Sequence, residues 1–280
     1  MGIILFFLKM ISIIVAIHNQ LTINKIFYDN LVKYTHHPFE LIIIDNNSTD
    51  GSKEFFQGHG AIVIENKQNY SYPYCQNQGI EISKYDVFAF LNNDIIVPPN
   101  WDKRLLDVSE KHGLEVFTPS GIEKTETIES TKKMWKKWNL IKNIISQFGK
   151  NEFTFKLMHF LMYGDWEKFS NKRFNKFKSE IIEGFVGNSV IMKRSAIKKI
   201  GLWDERLQAA DFDLYLRTKK RNLEYGDILP VHTVLGVFHH HFIRITAKSK
   251  PVKFADAENI ISLDQKWGDE KEKYLGEIFY

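Results

Sequence analysis

The sequence predicts an α/β fold with a mainly parallel central sheet flanked by helices. Four apolar, β-rich runs lie in the first hundred residues, at 11–17, 39–46, 60–66 and 86–94, and helical-looking stretches separate them. Continuously apolar runs are typical of strands covered on both faces, and their alternation with helices is typical of parallel βαβ units. Each run also ends in polar residues, and ligands of open α/β sheets bind beyond the carboxyl ends of the strands. The sequence therefore predicts a binding site along one edge of the sheet.

The first apolar run belongs to a longer apolar start of the chain. Residues 3–17 are apolar except for Lys9 and Ser12, and this stretch is shorter than the roughly 20 residues that span a bilayer. It also lacks the basic region and the small-residue cleavage site of a secretory signal. We therefore interpret 11–17 as a buried first strand, with Met10 as an alternative start and a short membrane-surface anchor as the other interpretation.

The later elements can be assigned in order. After residue 180, "GNSVIMKRSAIKKIG" predicts a strand, a turn and a short helix that Gly201 ends. "DFDLYLRTKKRN" predicts a helix with an acidic first turn and a basic last turn, as the helix dipole favours. "VHTVLGVFHHHF" predicts a strand, and "DAENIISLDQKWG" predicts a helix that Gly268 ends. The helices between the first four strands are expected near 22–35, 50–57 and 74–84.

One stretch, 124–180, has a different character. It mixes Lys and Arg with Trp, Phe and Met at roughly helical spacing. We expect an amphipathic helical insertion packed on the sheet domain. The same pattern also suits a surface that touches anionic lipid or an acidic acceptor, and the two interpretations do not exclude each other.

Composition limits the class of protein. The chain has 280 residues, 44% hydrophobic and 26% charged, which fits one large globular domain or a domain with a subdomain. A net charge of +4 is too small to indicate nucleic acid, so we expect no such partner. The single cysteine, Cys75, excludes an intrachain disulfide framework and favours a reducing compartment, so we expect a cytoplasmic protein.

An ordered set of motifs resembles the family 2 glycosyltransferases. These motifs are "SIIVAIHNQ", "LIIIDNNSTDGS", "NYSYPYCQNQGI", "FLNNDIIVPPNW", "GNSVIMKRSAIKKIGLWDERLQAADFDLYLR", "HHHFIRIT" and "QKWG". They cover 11–118 and 181–268 and leave 124–180 unmatched. The family consists of inverting enzymes with the GT-A fold, and the likeness is to its rhamnosyltransferase-like members.

The resemblance implies one GT-A domain over 1–280. It would contain a Rossmann-like nucleotide-sugar-binding half at 10–118, a basic aromatic helical insertion at 119–180 and an acceptor half with a C-terminal helix at 181–280. The implied reaction moves a sugar from a UDP- or dTDP-sugar to a hydroxyl of a glycan or a lipid-linked saccharide, as in polysaccharide biosynthesis. Peripheral membrane contact stays an option, and the oligomeric state stays open.

For the donor, the resemblance implies that Asp45 accepts the imide N–H of uracil or thymine. The backbone at Ile17, His18 and Asn19 would complete the base pocket, and Asn77 lies in the family's Arg-Asn-x-Gly pattern. The alternative is that Asp45 only organises the turn after the second strand. We expect that role for Asp50, as a helix cap.

For the metal, the resemblance places Asn92, Asn93 and Asp94 at the family's Asp-x-Asp position. Oxygen ligands suit Mn²⁺ or Mg²⁺. Asn92 replaces the first acid and brings no charge, although it can contact the ribose or a metal-bound water, so weaker metal binding is expected. His241 resembles the family's late histidine near the metal, and His239, on the same predicted face of the strand, is the alternative. The alternative is that these three residues only form the turn that ends the strand, since Asn and Asp are favoured in turns.

For the acceptor, the resemblance implies that Asp211 is the general base. Ala210 stands where the family has a Glu, and Asp213 is expected to be a cap or to pair with Arg217. Gly187, Asn188 and Trp203 resemble the acceptor side of the family's site.

Further departures keep other functions open. Gln76 stands where the family often has Arg. Tyr70, Tyr72 and Tyr74 replace a Gly-rich loop and either stack on a sugar or pack. The second hypothesis is therefore a catalytically weak or inactive nucleotide-sugar-binding relative. A nucleotidyltransferase is a third, but the Gly/Lys/Arg-rich phosphate loop it needs after the first strand is missing.

Overall fold

The computed structural model of the protein describes residues 9–245 and 253–275. The predicted start at residues 1–8 and Thr246 of "HHHFIRIT" lie outside these ranges. The strands are β1 Ile11–Ile17, β2 Phe39–Asp45, β3 Ile62–Glu65, β4 Val87–Leu91, β5 Ile95–Ile96, β6 Val116–Ser120, β7 Ile181–Glu183, β8 Ser189–Lys193, β9 His232–Phe238 and β10 His240–His241. The helices are α1 Leu21–Tyr34, α2 Ser52–Gly58, α3 Tyr72–Ile82, α4 Trp101–His112, α5 Ile128–Ile145, α6 Glu152–Tyr163, α7 Trp166–Phe177, α8 Arg194–Ile200, α9 Ala210–Tyr225, α10 Leu263–Trp267 and α11 Glu270–Leu275, with 3₁₀ turns at Ser146–Phe148 and Ala257–Asn259.

An eight-stranded sheet forms the centre, in the order β3-β2-β1-β4-β8-β6-β9-β7. Six of its strands run in one direction, and β8 and β7 run antiparallel to their neighbours. The predicted mainly parallel sheet is confirmed, and the four predicted strands of the first hundred residues match β1 to β4. The carboxyl ends of β1, β2, β3 and β4 consequently lie along one edge.

Apolar side chains bury both faces of the sheet. Alternate residues of β1 point to opposite sides, so Ile13 and Val15 pack with α1 and α4, whereas Ile14 packs with α3 and α9. The approach of α3 is very close, because a Cβ on Gly79 would lie 2.3 Å from Cγ2 of Ile14. The glycine of "CQNQGI" therefore sets how α3 lies on the sheet.

The predicted strand "VHTVLGVFHHHF" is broken in the structure. β9 ends at Phe238, and His240 and His241 form β10, which pairs with β5 in a separate two-stranded ribbon. A register shift in the β6–β9 pair precedes the break, because Ser120 pairs with Phe238 although its neighbour Pro119 pairs with Val234. The expected alternation of the three histidines along one strand is therefore wrong.

Three helices, α5 to α7, fill the stretch expected to be an insertion. Thr127, Asn151 and Asp165 cap them, each accepting a backbone N–H three residues on. Trp138, Phe155 and Phe242 contribute to a third hydrophobic cluster at the end of the sheet. The expected packing of these helices on the sheet domain is confirmed. The domain boundaries themselves stay a prediction.

The last predicted helix is shorter than expected. Residues 257–259 form a 3₁₀ turn, and helix α10 begins only after Ser262, whose side chain accepts the N–H of Gln265. Between them Ile261 bridges to Leu207, which holds the chain extended. Gly268 ends the helix as predicted, with φ of 49°. No helix within 9–245 and 253–275 is long and apolar enough to cross a bilayer.

Candidate active site

The ends of β1 and β2 are joined by hydrogen bonds. Asn46 N–H donates to the carbonyl of Ile17 at 2.8 Å, and His18 Nδ1 donates to the carbonyl of Asn46 at 2.7 Å. Asn19 has a positive φ of 58° and donates its N–H to Ser48 Oγ at 2.8 Å. The residues predicted to surround a base, Ile17, His18 and Asn19, thus form one fixed corner with the turn after β2.

Asp45 lies at this corner with one carboxylate oxygen unpaired. The residue is 2% exposed, and Oδ2 accepts the N–H of Ser48 at 3.2 Å. Oδ1 is buried without a hydrogen-bond partner among the described residues. Since buried polar atoms are nearly always paired, this oxygen is suited to accept from a bound ligand. The turn-forming role expected of Asp50 is seen, because its carboxylate accepts the N–H groups of Leu21 and Ser52.

The three polar residues of the turn after β4, Asn92, Asn93 and Asp94, have different surroundings. Asn92 lines a cavity, and its backbone N–H donates to the carbonyl of Asn188 at 2.9 Å. Asn93 instead donates its side-chain amide to Asn24 Oδ1 at 2.7 Å, which ties the turn to α1. Asp94 is 8% exposed and faces His241. Asn93, predicted to bind the nucleotide-sugar, therefore has a visible structural role.

His241 lies between two carboxylates. Its Nε2 is 3.2 Å from Asp94 Oδ1, and its Nδ1 is hydrogen-bonded to Glu123 Oε1. Burial by itself lowers the pKa of His241, but the charges of Asp94 and Glu123 outweigh burial and raise it to about 10. The structure thus brings together Asp94 and His241, two of the three residues predicted to bind the metal.

His239, the alternative metal ligand, lies elsewhere. It is fully buried, its Nδ1 is 2.9 Å from Ser189 Oγ, and its ring packs edge-on against Trp101. Burial lowers the pKa of His239 to about 3. The prediction that it shares a face with His241 fails because the strand breaks at this residue.

These side chains fit a divalent cation that takes further ligands from a bound molecule. Among residues 9–245 and 253–275, no three His, Cys, Asp or Glu side chains form a complete metal cage. Asp94 offers a carboxylate, and His241 offers an imidazole nitrogen once a cation displaces its Nε2 proton, because only the neutral ring binds metal. Glu123 Oε2 is buried without a hydrogen-bond partner in the described part of the chain, so negative charge is left over beside them.

The predicted base Asp211 lies at the start of α9 against a glycine. A Cβ on Gly187 would lie 2.1 Å from Asp211 Oδ2, so only glycine leaves room for this carboxylate. Burial raises the pKa of Asp211, although the backbone N–H of Phe212 partly offsets this by donating to it. Ala210, where an acid was expected, is 3% exposed and packs in the hydrophobic core.

A cavity of about 350 Å³ is lined both by residues near the turn after β4 and by residues near the start of α9. The residues that line it include Tyr72, Asn92, Glu123, Gly187, Asn188, Gln208, Asp211 and His241. The turn after β4, the start of α9 and β10 come from distant parts of the sequence. The cavity therefore brings Asp211, a carboxylate of raised pKa, together with Asn92, Glu123 and His241.

Asn77 and Trp203, both predicted to belong to the site, are hydrogen-bonded to each other. The side-chain amide of Asn77 donates to the carbonyl of Trp203 and to Glu205, and its Oδ1 accepts the N–H of Trp203. Asn77 is thus engaged within the protein, and the expectation of a nucleotide-sugar contact is not supported. Trp203 is 3% exposed and packs edge-on against Tyr72, which lines the cavity. Asn188, in contrast, donates to Glu123 Oε1 at 3.0 Å inside the site.

Tyr70, Tyr72 and Tyr74 were expected either to stack on a sugar or to pack within the protein, and their surroundings differ. Tyr70 and Tyr74 stack on each other, with ring centroids 4.5 Å apart. Tyr72 turns towards Asp211, and its hydroxyl is buried without a partner among the described residues. Gln76, in the same helix, is fully buried, and both of its amide atoms are likewise unpaired in the described ranges.

Asp213 belongs to the scaffold of the site. Arg217 Nε donates to it at 2.8 Å, as expected for an i,i+4 pair. Lys266 Nζ and Trp267 Nε1 also donate to it, at 2.6 and 2.8 Å. The "QKWG" segment is therefore held against α9, next to the helix turn that carries Asp211.

Sequence reasoning missed Glu123. It lies three residues after β6, and its contact with His241 joins positions 118 residues apart. The signal that could have found it is the one used for the first four strands, namely a polar residue just beyond a buried strand. The prediction of a helical insertion over 119–180 does not place any residue of that range in the site.

Comparison with known proteins finds a matching family and a curated relative. Residues 12–201 match the family model described as Glycosyl transferase family 2. The glycosyltransferase AglE of Haloferax volcanii is 28% identical over 157 residues, which are 50% of this chain and 51% of AglE. The chain thus spans about half the length of the curated relative it matches.

Two solved structures are similar in fold. The mannosyltransferase PcManGT from Pyrobaculum calidifontis, in complex with GDP-Man and Mn²⁺, has a TM-score of 0.52 at 12% identity, over 84% of this chain and 57% of that one. TarS from S. aureus has a TM-score of 0.52 at 14% identity, over 84% of this chain and 37% of that one. At such low identity the likeness shows a shared fold.

Proposed function

The chain belongs to glycosyl transferase family 2 and has the GT-A fold, and from this premise we propose that it is an inverting, metal-assisted glycosyltransferase. It moves a sugar from a UDP- or dTDP-sugar to a hydroxyl of a glycan or a lipid-linked saccharide. The observation that carries the proposal is the shared cavity, where Asp211 lies opposite the turn of Asn92 and His241. The single, buried Cys75 supports a cytoplasmic site of reaction.

Donor binding is assigned to the corner between β1 and β2. The unpaired Oδ1 of Asp45 accepts the imide N–H of the base, while the backbone at Ile17 to Asn19 lies along the ring. Asp45→Asn should weaken binding of UDP or dTDP by about tenfold or more, because a hydrogen bond to a charged group is lost. Calorimetry with UDP measures this. If Asp45→Asn binds UDP as tightly as the parent, the assignment fails.

Asp94 and His241 would hold Mn²⁺ or Mg²⁺, which supplies charge neutralisation of the diphosphate leaving group. The presence of Mn²⁺ in the PcManGT complex with GDP-Man supports this choice of ion. Glu123 donates no proton to the reaction in this scheme. It holds His241 through Nδ1, so that Nε2 stays directed towards Asp94.

Asp211 acts as the general base. Its carboxylate removes the proton of the acceptor hydroxyl as that oxygen bonds to the anomeric carbon. The bond from that carbon to the diphosphate oxygen breaks on the opposite face, so the configuration inverts. Gly187 leaves the space that this carboxylate occupies, and Tyr72 lines the same cavity.

The test is release of nucleoside diphosphate from a panel of UDP-, dTDP- and GDP-sugars with Mn²⁺, with Mg²⁺ and with EDTA. Turnover of dTDP-rhamnose would identify the rhamnosyltransferase-like subtype. Asp94→Ala should abolish release, and Asp211→Asn should lower it by about a hundredfold or more. Asp107→Ala, which changes an exposed aspartate on α4, is the matched control.

The alternative is a catalytically weak or inactive nucleotide-sugar-binding relative. Asn92, which brings no charge, and Ala210, which is buried among apolar side chains, favour it. Tight binding of UDP or dTDP without release from any donor would support this alternative and contradict the enzyme proposal. Release that is equal in the parent and in Asp94→Ala would contradict the metal assignment alone.

A further inference from the structure

The hairpin of α5 and α6 has an exposed apolar face, which we term the outer face. Phe148 and Phe153 are 73% and 71% exposed, which is unusual for two aromatic side chains in one short segment. The outer face consists of Leu140, Ile144, Phe148, Phe153, Phe160 and Leu161, all of them exposed. Several exposed large apolar side chains within one hairpin indicate an interaction surface.

These side chains lie on one side of the hairpin. Leu140, Ile144 and Phe148 follow one another at intervals of four residues, which is the spacing of a single helix face. On the opposite sides, Trp138 of α5 and Phe155 of α6 both pack against Phe242. Because both helices bury their inner sides on the same residue, their outer sides face away from it together.

Lysines accompany the outer face. Lys133, Lys136 and Lys137 precede Leu140 by seven, four and three residues, so they lie on the same side of α5, and all three are exposed. Between residues 128 and 163 the chain has seven lysines and two glutamates. Lys133 and Lys136 therefore lie beside the apolar side chains of the outer face, on a hairpin with a net positive charge.

We propose that the outer face binds the surface of an anionic phospholipid bilayer. Exposed Phe and Leu beside lysines are the pattern of helices that lie in the headgroup region, where both apolar burial and attraction to anionic lipid contribute. A second copy of this chain is a poorer occupant, since a symmetric contact would bring the lysines of the two hairpins together. The hairpin lies on the membrane and does not span it, as neither helix has the required length and hydropathy.

The hairpin is fixed to the strand end that carries His241. Trp138 Nε1 donates to the carbonyl of Ile243 at 3.3 Å, and Tyr163 Oη is hydrogen-bonded to His240 Nδ1 at 2.9 Å. A bilayer bound at the outer face would therefore hold the cavity near the membrane. This inference goes beyond the proposed function and does not depend on it.

The test is co-sedimentation of the full chain with vesicles of equal parts phosphatidylglycerol and phosphatidylcholine, and with vesicles of phosphatidylcholine alone. The parent should bind only the first. Phe148→Ser with Phe153→Ser should lower the partition coefficient by about tenfold, through lost apolar burial. Lys133→Gln with Lys136→Gln should lower it by at least about tenfold, since each lysine near an anionic surface is worth about fivefold. Leu223→Ser, a change of a 61% exposed leucine on α9, is the control and should bind as the parent does.

Each outcome decides the proposal. No binding to phosphatidylglycerol vesicles, equal binding to both kinds of vesicle, or loss in the Leu223→Ser control would overturn it. Dimers that form in sedimentation velocity and vanish in the phenylalanine variant would assign the face to a second copy instead. Thermal unfolding and UDP binding of every variant are measured in parallel, so that misfolding or a failure of the proposed function is recognised separately.

Discussion

The contact between Gly187 and Asp211 offers a quantitative test of the general-base assignment. An alanine Cβ at position 187 would lie 2.1 Å from Asp211 Oδ2, whereas an ordinary contact is at least about 3.4 Å. The carboxylate must therefore move by about 1.3 Å. Gly187 is not among the glycines with positive φ, so alanine adds no backbone strain.

A displacement of this size should be costly for catalysis. Moving a reacting group by about 1 Å can lower the rate by a hundredfold, which corresponds to about 2.7 kcal/mol in the activation free energy. We expect Gly187→Ala to lower kcat by about that factor. Binding of UDP at the Asp45 corner should not change, because that corner lies on other strands.

The assay is metal-dependent turnover of the donor identified by the panel, with kcat and KM measured separately. Gly58→Ala is the matched control, because nothing lies within 4 Å of its added Cβ. Gly187→Ala is also made in the Asp211→Asn background, where it should have little further effect, since the two residues act as a unit. An unchanged kcat in Gly187→Ala, or the same loss with Asp211 already removed, would refute the reasoning.

Three further predictions concern pH, metal and stability. Burial raises the pKa of Asp211 above its usual 3.8, and a base must be ionised, so kcat/KM should rise with pH through that higher value. Asp211→Asn should lose this acid limb, and a parent profile without any limb above the usual value would contradict the assignment. Asn92→Asp restores a carboxylate beside the cavity and should tighten Mn²⁺ binding by about tenfold, measured by calorimetry. An unchanged affinity would show that residue 92 does not face the ion. Asp213→Ala removes the buried carboxylate that Arg217, Lys266 and Trp267 share, although Lys266 keeps Asp204, and should lower the free energy of unfolding by about 3 kcal/mol in urea denaturation. A loss no larger than that of the surface change Asp107→Ala would show that Asp213 does not anchor α10.

Local patterns in the sequence were sufficient for the sheet and for part of the site. The apolar runs at 11–17, 39–46, 60–66 and 86–94 predicted β1 to β4, and the polar residues after them predicted the edge to which we assign the donor site. Asp45, Asp94 and Asp211 were predicted through motifs that resemble those of the family, and their roles stay predictions. Apolar runs and polar strand ends are properties of residues that are neighbours in the sequence, so they can be recognised without knowing the fold.

The hydrogen-bond partners of the asparagines in these motifs could not be predicted in the same way. Asn93 and Asn77 have the residue type and position of ligand-binding groups, yet each donates its amide to another part of the protein. Asparagine hydrogen-bonds to whatever polar group lies within reach, and that group is set by the packing of α1 on β5 or of α3 on the 202–205 loop. The sequence motif does not contain this information.

The sequence by itself determined an α/β protein of this family with acidic residues at one sheet edge, because period, composition and motif are local. Tertiary structure alone decided that His241 and not His239 meets Asp94, since a register shift and a strand break separate the two histidines. It also decided that Glu123 joins them, and that the apolar residues of α5 and α6 stay exposed. Contacts across more than a hundred residues depend on how strands and helices pack, and only the packed molecule determines them.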